Sequence, residues 1–176
     1  MKFYDALGLE PKLALDSQQL KKHFYERSRQ WHPDRFSRAS AAEQQKSLEM
    51  TSIINDAFRT LRDPVARAEY FLEQKAIVPS KHVPPELLEE VFEMNIALEE
   101  VRAGDESARP QLAEARERFH HMRDEIDHGL SVLFIRYDEA QDASHLLAIR
   151  SVLDRRQYVV NLIRDVEKEL NVHVSN

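Results

Sequence analysis

The sequence predicts an all-α fold in which an antiparallel helix hairpin with short flanking helices precedes a three-helix bundle. Three observations predict this class. Apolar residues recur three and four positions apart along most of the chain, and glycine occurs only three times in 176 residues. Residue types that begin or end helices, such as Asp, Ser, Pro and Gly, fall between the periodic stretches. Each predicted helix therefore has local signals at its ends.

The first two helices precede a short loop near residue 32. The first helix runs from Phe3 to Leu7 and ends at Gly8, which suits the left-handed position at a helix C-terminus. The second begins after Asp16, because Gln19 three residues later completes a capping-box pattern. It ends near Trp31.

Two further helices complete a predicted N-terminal domain of residues 1–75. Ser40 with Glu43 is a second capping-box pattern, and it opens a helix that runs to about Leu61. Asp63-Pro64 is an N-cap followed by proline at the first helical position, so it opens a short fourth helix. The predicted shared core consists of Leu7, Leu20, Phe24, Ile54, Phe58 and Leu61.

The remainder of the chain predicts a linker at 76–84 and a three-helix bundle at 85–176. The linker contains two prolines and little periodicity. The first bundle helix begins at Pro85, and a turn near Asp138–Asp142 precedes the last helix. Each helix carries one apolar seam, as expected for a bundle. The predicted seams are Leu87, Val91, Met94, Leu98 and Val101; Leu112, Ala115, Phe119, Met122, Ile126, Leu130 and Leu133; and Leu146, Ile149, Leu153, Val160, Ile163 and Leu170.

Composition excludes several classes of function. Without cysteine there is no disulfide framework, thiol nucleophile or cysteine-ligated metal. No apolar run approaches the length that spans a bilayer, and the N-terminus lacks the apolar region of a signal peptide, so a cytoplasmic location is predicted. No glycine-rich phosphate loop occurs. The sequence therefore predicts a protein that is not an enzyme and that needs no cofactor, metal or membrane.

Charge is distributed unevenly along the chain. Residues 1–75 contain 13 basic and 11 acidic side chains, whereas residues 76–176 contain 12 and 20. Six basic residues fall within 21–38, and six glutamates with no basic residue fall within 86–100. This asymmetry indicates two partners of opposite charge character. Neither part is basic enough to make nucleic acid the leading candidate.

The loop between the second and third helices contains His32, Pro33 and Asp34. Pro33 disfavours the helical conformation for His32 and removes a backbone donor, so the second helix ends there. Two helices joined by a short loop pack antiparallel, which exposes the loop at one tip of the pair. The tripeptide alone is most simply a turn. The residues around it favour a functional site.

Taken together, residues 3–75 resemble a J-domain, the module by which co-chaperones engage Hsp70. The matching pieces are Phe3-Tyr4 with Leu7-Gly8, the basic second helix with Trp31-His32-Pro33-Asp34-Arg35-Phe36, Ile54-Asn55-Asp56-Ala57-Phe58 with Leu61, Asp63-Pro64, and Arg67-Ala68-Glu69-Tyr70. The resemblance implies that the His-Pro-Asp loop docks at the nucleotide-binding domain of Hsp70 and promotes ATP hydrolysis by that partner. The predicted Hsp70-binding residues are His32, Pro33, Asp34, Lys21, Lys22, Arg29 and Arg35.

The whole chain resembles the HscB family. It lacks a Gly/Phe-rich segment and a Cys-x-x-Cys module, and an acidic three-helix bundle follows the J-domain directly. The resemblance implies a specialist co-chaperone that brings the iron–sulfur scaffold IscU to an Hsp70 of the HscA type. Because eukaryotic relatives carry a cysteine zinc site, the absence of cysteine indicates the bacterial form.

The helix from Pro85 carries a second apolar stripe beside its seam. Leu88, Phe92 and Ile96 are rotated by about 100° from the seam. A wide seam or a contact with the J-domain would also explain them. By resemblance to HscB proteins, the scaffold-binding residues are Leu88, Phe92, Glu93, Ile96 and, on the last helix, Tyr158. Tyr158 is placed opposite the seam with Leu147 and Leu162 near it; a single exposed tyrosine is the alternative.

Three other functions remain open. The chain could be a J-domain protein that recruits a different client to a general, DnaK-type Hsp70. It could be a helical adaptor with a non-functional J-like domain, or an enzyme that uses His32 and Asp34. The last two do not explain why the basic helix, the loop and the later J-domain pieces occur together.

Overall fold

The computed structural model describes residues 1–80 and 84–172, and every regular element in that part of the chain is helical. The predicted all-α class is confirmed. The part of the predicted linker at 81–83 and the last residues of the predicted bundle, 173–176, lie outside the described residues.

By compactness the chain divides into two units. The first consists of Met1–Val78 and Phe134–Ala143, and the second of the described residues of Pro79–Leu133 and Ser144–Asn176. The units group residues that are close in space, so the end of one long helix joins the N-terminal unit. The domain boundaries drawn along the sequence stay a prediction.

Local signals at helix ends position the helices of the first unit. Gly8 adopts the left-handed conformation with φ 67°. The Asp16 carboxylate accepts a hydrogen bond from the Gln19 N–H at 2.7 Å. The capping box of Ser40 and Glu43 is complete, and hydrogen bonds from Ser40 lower the pKa of Glu43. The four helices are α1 (Lys2–Leu7), α2 (Ser17–Gln30), α3 (Ala41–Arg62) and α4 (Pro64–Gln74).

The core of the first unit contains most of the residues that periodicity predicts. Phe24 and Phe58 are half-buried and stack on each other with ring centroids 4.2 Å apart. Sequence periodicity missed Tyr4, Leu13 and Phe71, which are also buried. The predicted core residues that are fully enclosed are Leu7, Leu20, Ile54 and Leu61.

The second unit contains α5 (Leu88–Arg102), most of α6 (Arg109–Ala140) and most of α7 (Ala143–Val172). Short 3-10 turns at Pro85–Leu87 and Glu106–Ala108 precede α5 and α6. The predicted seams of α5 and α6 are largely buried. Their enclosed members are Leu87, Met94, Leu98, Val101, Leu112, Ala115, Phe119, Ile126 and Leu130.

The seam of α7 differs from its prediction in the second half of the helix. Val159, Leu162 and Val166 are buried, whereas the predicted Val160 and Leu170 are only half-buried. Where two apolar residues are adjacent, either one can face the core of a helix with 3.6 residues per turn. In this half of α7, packing buries the residue of the pair that periodicity did not predict. The expectation that Leu162 lies opposite the seam is wrong.

The last turns of α6 belong to the first unit. The helix continues through Ala140, so the turn before α7 is confined to residues 141–142 and Asp138 is helical. The Asp138 carboxylate accepts hydrogen bonds from the backbone N–H groups of Leu13 and Ala14, at 2.9 and 2.7 Å. These bonds satisfy donors that α1 and α2 leave unpaired between them.

Within the described residues, no helix combines the length and apolar character required to cross a membrane. That same part of the chain contains no group of three or more His, Asp or Glu side chains placed to hold a metal ion. Two bundle histidines instead lie beside single carboxylates. His120 Nε2 is 3.2 Å from Glu167, and His121 Nδ1 is 3.6 Å from Glu125.

Candidate functional site

The first candidate site is the loop between α2 and α3. α2 ends at Gln30, and Pro33–Phe36 forms a single 3-10 turn. His32 has extended backbone angles, φ −61° and ψ 128°, as expected for a residue that precedes proline. We call His32, Pro33 and Asp34 the HPD turn.

Hydrogen bonds inside the HPD turn fix its backbone. The Asp34 N–H donates to His32 Nδ1 at 3.3 Å, and the Arg35 N–H donates to the His32 carbonyl at 3.0 Å. The Ser37 hydroxyl donates to the Asp34 carbonyl at 3.0 Å. The side chains of His32 and Asp34 nevertheless remain 58 % and 91 % exposed. The turn therefore presents an imidazole and a carboxylate on a fixed backbone.

A contact with α3 holds the start of the loop. The Trp31 carbonyl accepts hydrogen bonds from the Ser47 hydroxyl at 2.8 Å and the Thr51 hydroxyl at 3.0 Å. Ser47 is fully buried. The Trp31 ring stacks on Phe36, with centroids 5.9 Å apart and planes 7° apart. The residue before the HPD turn and the residue two positions after it are thus packed together.

An exposed basic surface lies along α2 beside this loop. Lys21, Lys22 and Arg29 are all exposed, and we call them the basic face. None of them has a carboxylate within ion-pair distance among residues 1–80 and 84–172, so their charges are available to a partner. Arg35 is also exposed, and its guanidinium donates to the Arg29 carbonyl at 3.4 Å.

Tyr25 is a residue of this surface that sequence reasoning missed. Its side chain is 63 % exposed. At about 100° per residue, Lys21, Lys22 and Arg29 all lie within about 60° of Tyr25 around the α2 axis. The signal was present in the sequence, because an aromatic side chain that falls outside the helix's apolar periodicity and among basic residues is a candidate contact residue.

The second candidate site is the apolar stripe on α5. Leu88, Phe92 and Ile96 are 55 %, 68 % and 43 % exposed, and we call them the α5 stripe. They are not part of the buried seam, so the explanation of a wide seam is wrong. The Glu93 carboxylate beside the stripe lies 4.0 Å from the Arg118 guanidinium. An exposed apolar stripe flanked by acidic groups is typical of a protein-binding surface.

Tyr158 lies on α7 and is half-buried. Its neighbour Val159 is buried in the bundle, and Leu162 one turn later is buried as well. Leu147 is exposed, as predicted for the face opposite the seam. Part of the Tyr158 side chain is therefore exposed, so the alternative of a single fully exposed tyrosine does not describe it.

The helix hairpin, the exposed HPD turn and the basic face together define a J-domain protein. Residues 2–70 match the DnaJ domain family, and residues 83–167 match the family described as the HSCB C-terminal oligomerisation domain. The two matches follow each other along the chain. Their order is that of a J-domain co-chaperone with a dedicated C-terminal domain.

One curated relative matches most of the chain, and another matches less than half of it. The chain is 33 % identical over 143 residues to the co-chaperone protein HscB homolog of Neisseria meningitidis serogroup C, covering 77 % of this chain and 83 % of the relative. It is 40 % identical over 77 residues to the co-chaperone protein HscB of Proteus mirabilis, covering 44 % of each chain.

Solved structures agree with the fold. The chaperone HscB from Vibrio cholerae superposes with a TM-score of 0.64 at 27 % identity, covering 97 % of this chain and 98 % of that one. Human co-chaperone protein HscB superposes with a TM-score of 0.68 at 22 % identity, covering 97 % and 82 %, and supports the fold alone. The chain belongs to the HscB family of J-domain co-chaperones, which act with Hsp70 in iron–sulfur cluster assembly.

Proposed function

We propose that this chain stimulates the ATPase of an HscA-type Hsp70 through the HPD turn and delivers the iron–sulfur scaffold IscU to it through the α5 stripe. The observation that carries the proposal is the pairing of two exposed surfaces of different chemistry on one chain. One is a polar turn beside a basic face, and the other is an apolar stripe on an acidic helix. We further propose that the protein is not itself an enzyme and acts in the cytoplasm.

The Hsp70 contact is assigned to the HPD turn, the basic face and Arg35. His32 Nδ1 lies 3.3 Å from the Asp34 N–H and 3.5 Å from the Asp34 carboxylate, so the Nε2 side of the exposed ring is the side available to a partner. The exposed Asp34 carboxylate can accept from a partner's cation. The basic face supplies long-range attraction to an acidic surface, which raises the association rate more than the affinity. Tyr25 adds apolar contact area within this face.

The scaffold contact is assigned to Leu88, Phe92, Glu93, Ile96 and Tyr158. The three residues of the α5 stripe supply exposed apolar area, and a large aromatic such as Phe92 is typical of the residues that dominate binding energy. Glu93 adds a carboxylate at the edge of the stripe. Tyr158 contributes the exposed part of its ring.

The decisive experiment is a titration of purified scaffold into the chain and then into an Hsp70 ATPase assay. We expect measurable binding of IscU and stimulation of an HscA-type Hsp70 by the chain. The ATPase rate should be higher with scaffold and chain together than with either alone. Comparison with a DnaK-type Hsp70 tests the choice of partner. Stimulation without any scaffold binding would instead support recruitment of a different client.

A further inference from the structure

A hollow of about 340 Å³ opens on the second unit beside the α5 stripe. It lies between α5 and α6, and nothing in the sequence analysis predicted it. Ile96 belongs both to the stripe and to the edge of the hollow, so the two surfaces are continuous. The lining residues are Glu93, Met94, Ile96 and Ala97 from α5, and Gln111, Glu114, Ala115 and Arg118 from α6.

The floor of the hollow combines two small side chains with the buried Met94. Ala97 and Ala115 are both almost completely buried and come from the two facing helices. Two alanines leave space that leucine or phenylalanine at either position would occupy. A hollow of this kind accommodates an apolar side chain from another protein.

The rim of the hollow carries acidic groups that are accessible to a partner. Glu93 and Arg118 are 4.0 Å apart and each is more than half exposed. Their ion pair therefore contributes little to stability, and a cation of the partner can replace Arg118 beside Glu93. Glu114 is exposed and has no cation within ion-pair distance among the described residues. With Glu89 next to the stripe, the rim has more acidic than basic groups, which complements a basic segment.

We propose that α6 forms a second wall of the scaffold-binding surface, with Gln111 and Glu114 as its contact residues and Arg118 as the cation that the partner displaces. The occupant is a segment of the scaffold protein in which an apolar side chain is next to a lysine or arginine. The apolar side chain enters the hollow over Ala97 and Ala115. The cation replaces Arg118 beside Glu93 and contacts Glu114. This inference rests on the proposed delivery of the scaffold.

The test measures the dissociation constant of purified scaffold for full-length variants by calorimetry. Glu114→Arg should weaken binding by about three- to tenfold, because it replaces attraction by repulsion at the rim. Arg118→Gln should strengthen binding by about twofold, because it frees Glu93 for the partner's cation. The matched control is Glu117→Arg, the same charge reversal at an exposed α6 residue that does not line the hollow, and it should stay within about twofold of the wild type.

Further measurements distinguish failure of the second wall from failure of the α5 stripe assignment. Urea denaturation should give all three variants the same free energy of unfolding as the wild type, which shows that each is folded. Hsp70 stimulation without scaffold should also be unchanged, because the HPD turn is intact. A double variant with Leu88→Ala and Phe92→Ala tests the α5 stripe itself. If that variant loses binding while Glu114→Arg binds as tightly as Glu117→Arg, the second wall is ruled out and the proposed function stands. If the double variant binds like the wild type, the stripe assignment fails, and the second wall fails with it.

Discussion

The HPD turn and the α5 stripe present their contacts by different physical means. The turn is irregular backbone that is held by internal hydrogen bonds and by the contact of Trp31 with Ser47 and Thr51. The stripe lies on a regular helix, whose backbone is held by its own hydrogen bonds and by burial of the neighbouring seam. The turn therefore depends on fixed geometry, whereas the stripe depends on apolar area. Substitutions should affect the two sites through different measurable quantities.

The largest effect is expected at the tip of the hairpin. His32→Gln should abolish stimulation of the Hsp70 ATPase, because it removes the ring that both accepts from Asp34 and faces the partner. We expect the free energy of binding to Hsp70 to become less favourable by about 2 kcal/mol or more, which is typical when a central contact residue is changed. Steady-state ATPase rates measure it. Scaffold affinity and the free energy of unfolding should be unchanged; a variant that still stimulates at the wild-type rate would refute the role of the turn.

The next largest effect is expected at the α5 stripe. Leu88→Ala combined with Phe92→Ala should weaken scaffold binding by about tenfold or more, since exposed apolar anchors dominate such contacts. Stimulation of Hsp70 without scaffold should be retained, because the HPD turn is intact. Val132→Ala is the control, since it removes apolar atoms from an exposed residue of α6 that belongs to neither proposed surface. Equal scaffold affinity in the double variant and the control would contradict the assignment.

A smaller effect is expected when the contact that holds the backbone before the HPD turn is weakened. Ser47→Ala removes a buried hydroxyl from the Trp31 carbonyl, while Thr51 still donates there. We expect the free energy of unfolding to fall by about 1 kcal/mol. Stimulation of Hsp70 should fall as well, because the backbone before the HPD turn is less restrained. Urea denaturation measures the change in unfolding free energy, and steady-state ATPase rates measure the change in stimulation.

The control for Ser47→Ala is Ser52→Ala, which removes an exposed hydroxyl from the same helix. Its unfolding free energy should stay within about 0.5 kcal/mol of the wild type. Identical ATPase stimulation by both variants, with Ser47→Ala clearly less stable, would show that the contact supports the fold without restraining the turn.

The same difference between regular and irregular structure explains what the sequence could predict. Helix ends at Gly8, Ser40 and Asp63 follow from residues within four positions of each other, so local rules located them closely. The exposed α5 stripe follows from the period of a single helix. The burial of Ser47 beneath the Trp31 carbonyl involves two helices and has no local signature.

Contacts between distant parts of the chain could not be predicted. Asp138 accepts from Leu13 and Ala14, about 125 positions away, and one carboxylate near a helix end gives no indication of that pairing. In α7, neighbouring apolar residues made two helix phases equally compatible with the sequence. Packing against the other helices selected Val159 rather than Val160.

The smallest effect is expected from a substitution that changes the stability of α6 but neither Hsp70 stimulation nor scaffold binding. Gly129 lies inside α6, and a Cβ added there would meet nothing within 4 Å. Gly129→Ala should therefore raise the free energy of unfolding by about 1 kcal/mol, since alanine restricts the unfolded chain and favours the helix. Thermal or urea denaturation measures the gain. Hsp70 stimulation and scaffold affinity should not change, because neither site includes this position.

Gly104 provides a control of opposite sign for that substitution. A Cβ there would also meet nothing within 4 Å, but the backbone has φ +95°, which side chains rarely adopt. Gly104→Ala should lower the free energy of unfolding by about 1 kcal/mol or more. The two glycines have the same free space and differ in backbone conformation. Opposite shifts would assign the effect to conformation, whereas destabilisation by both would show that α6 requires glycine at 129 for a reason beyond helix propensity.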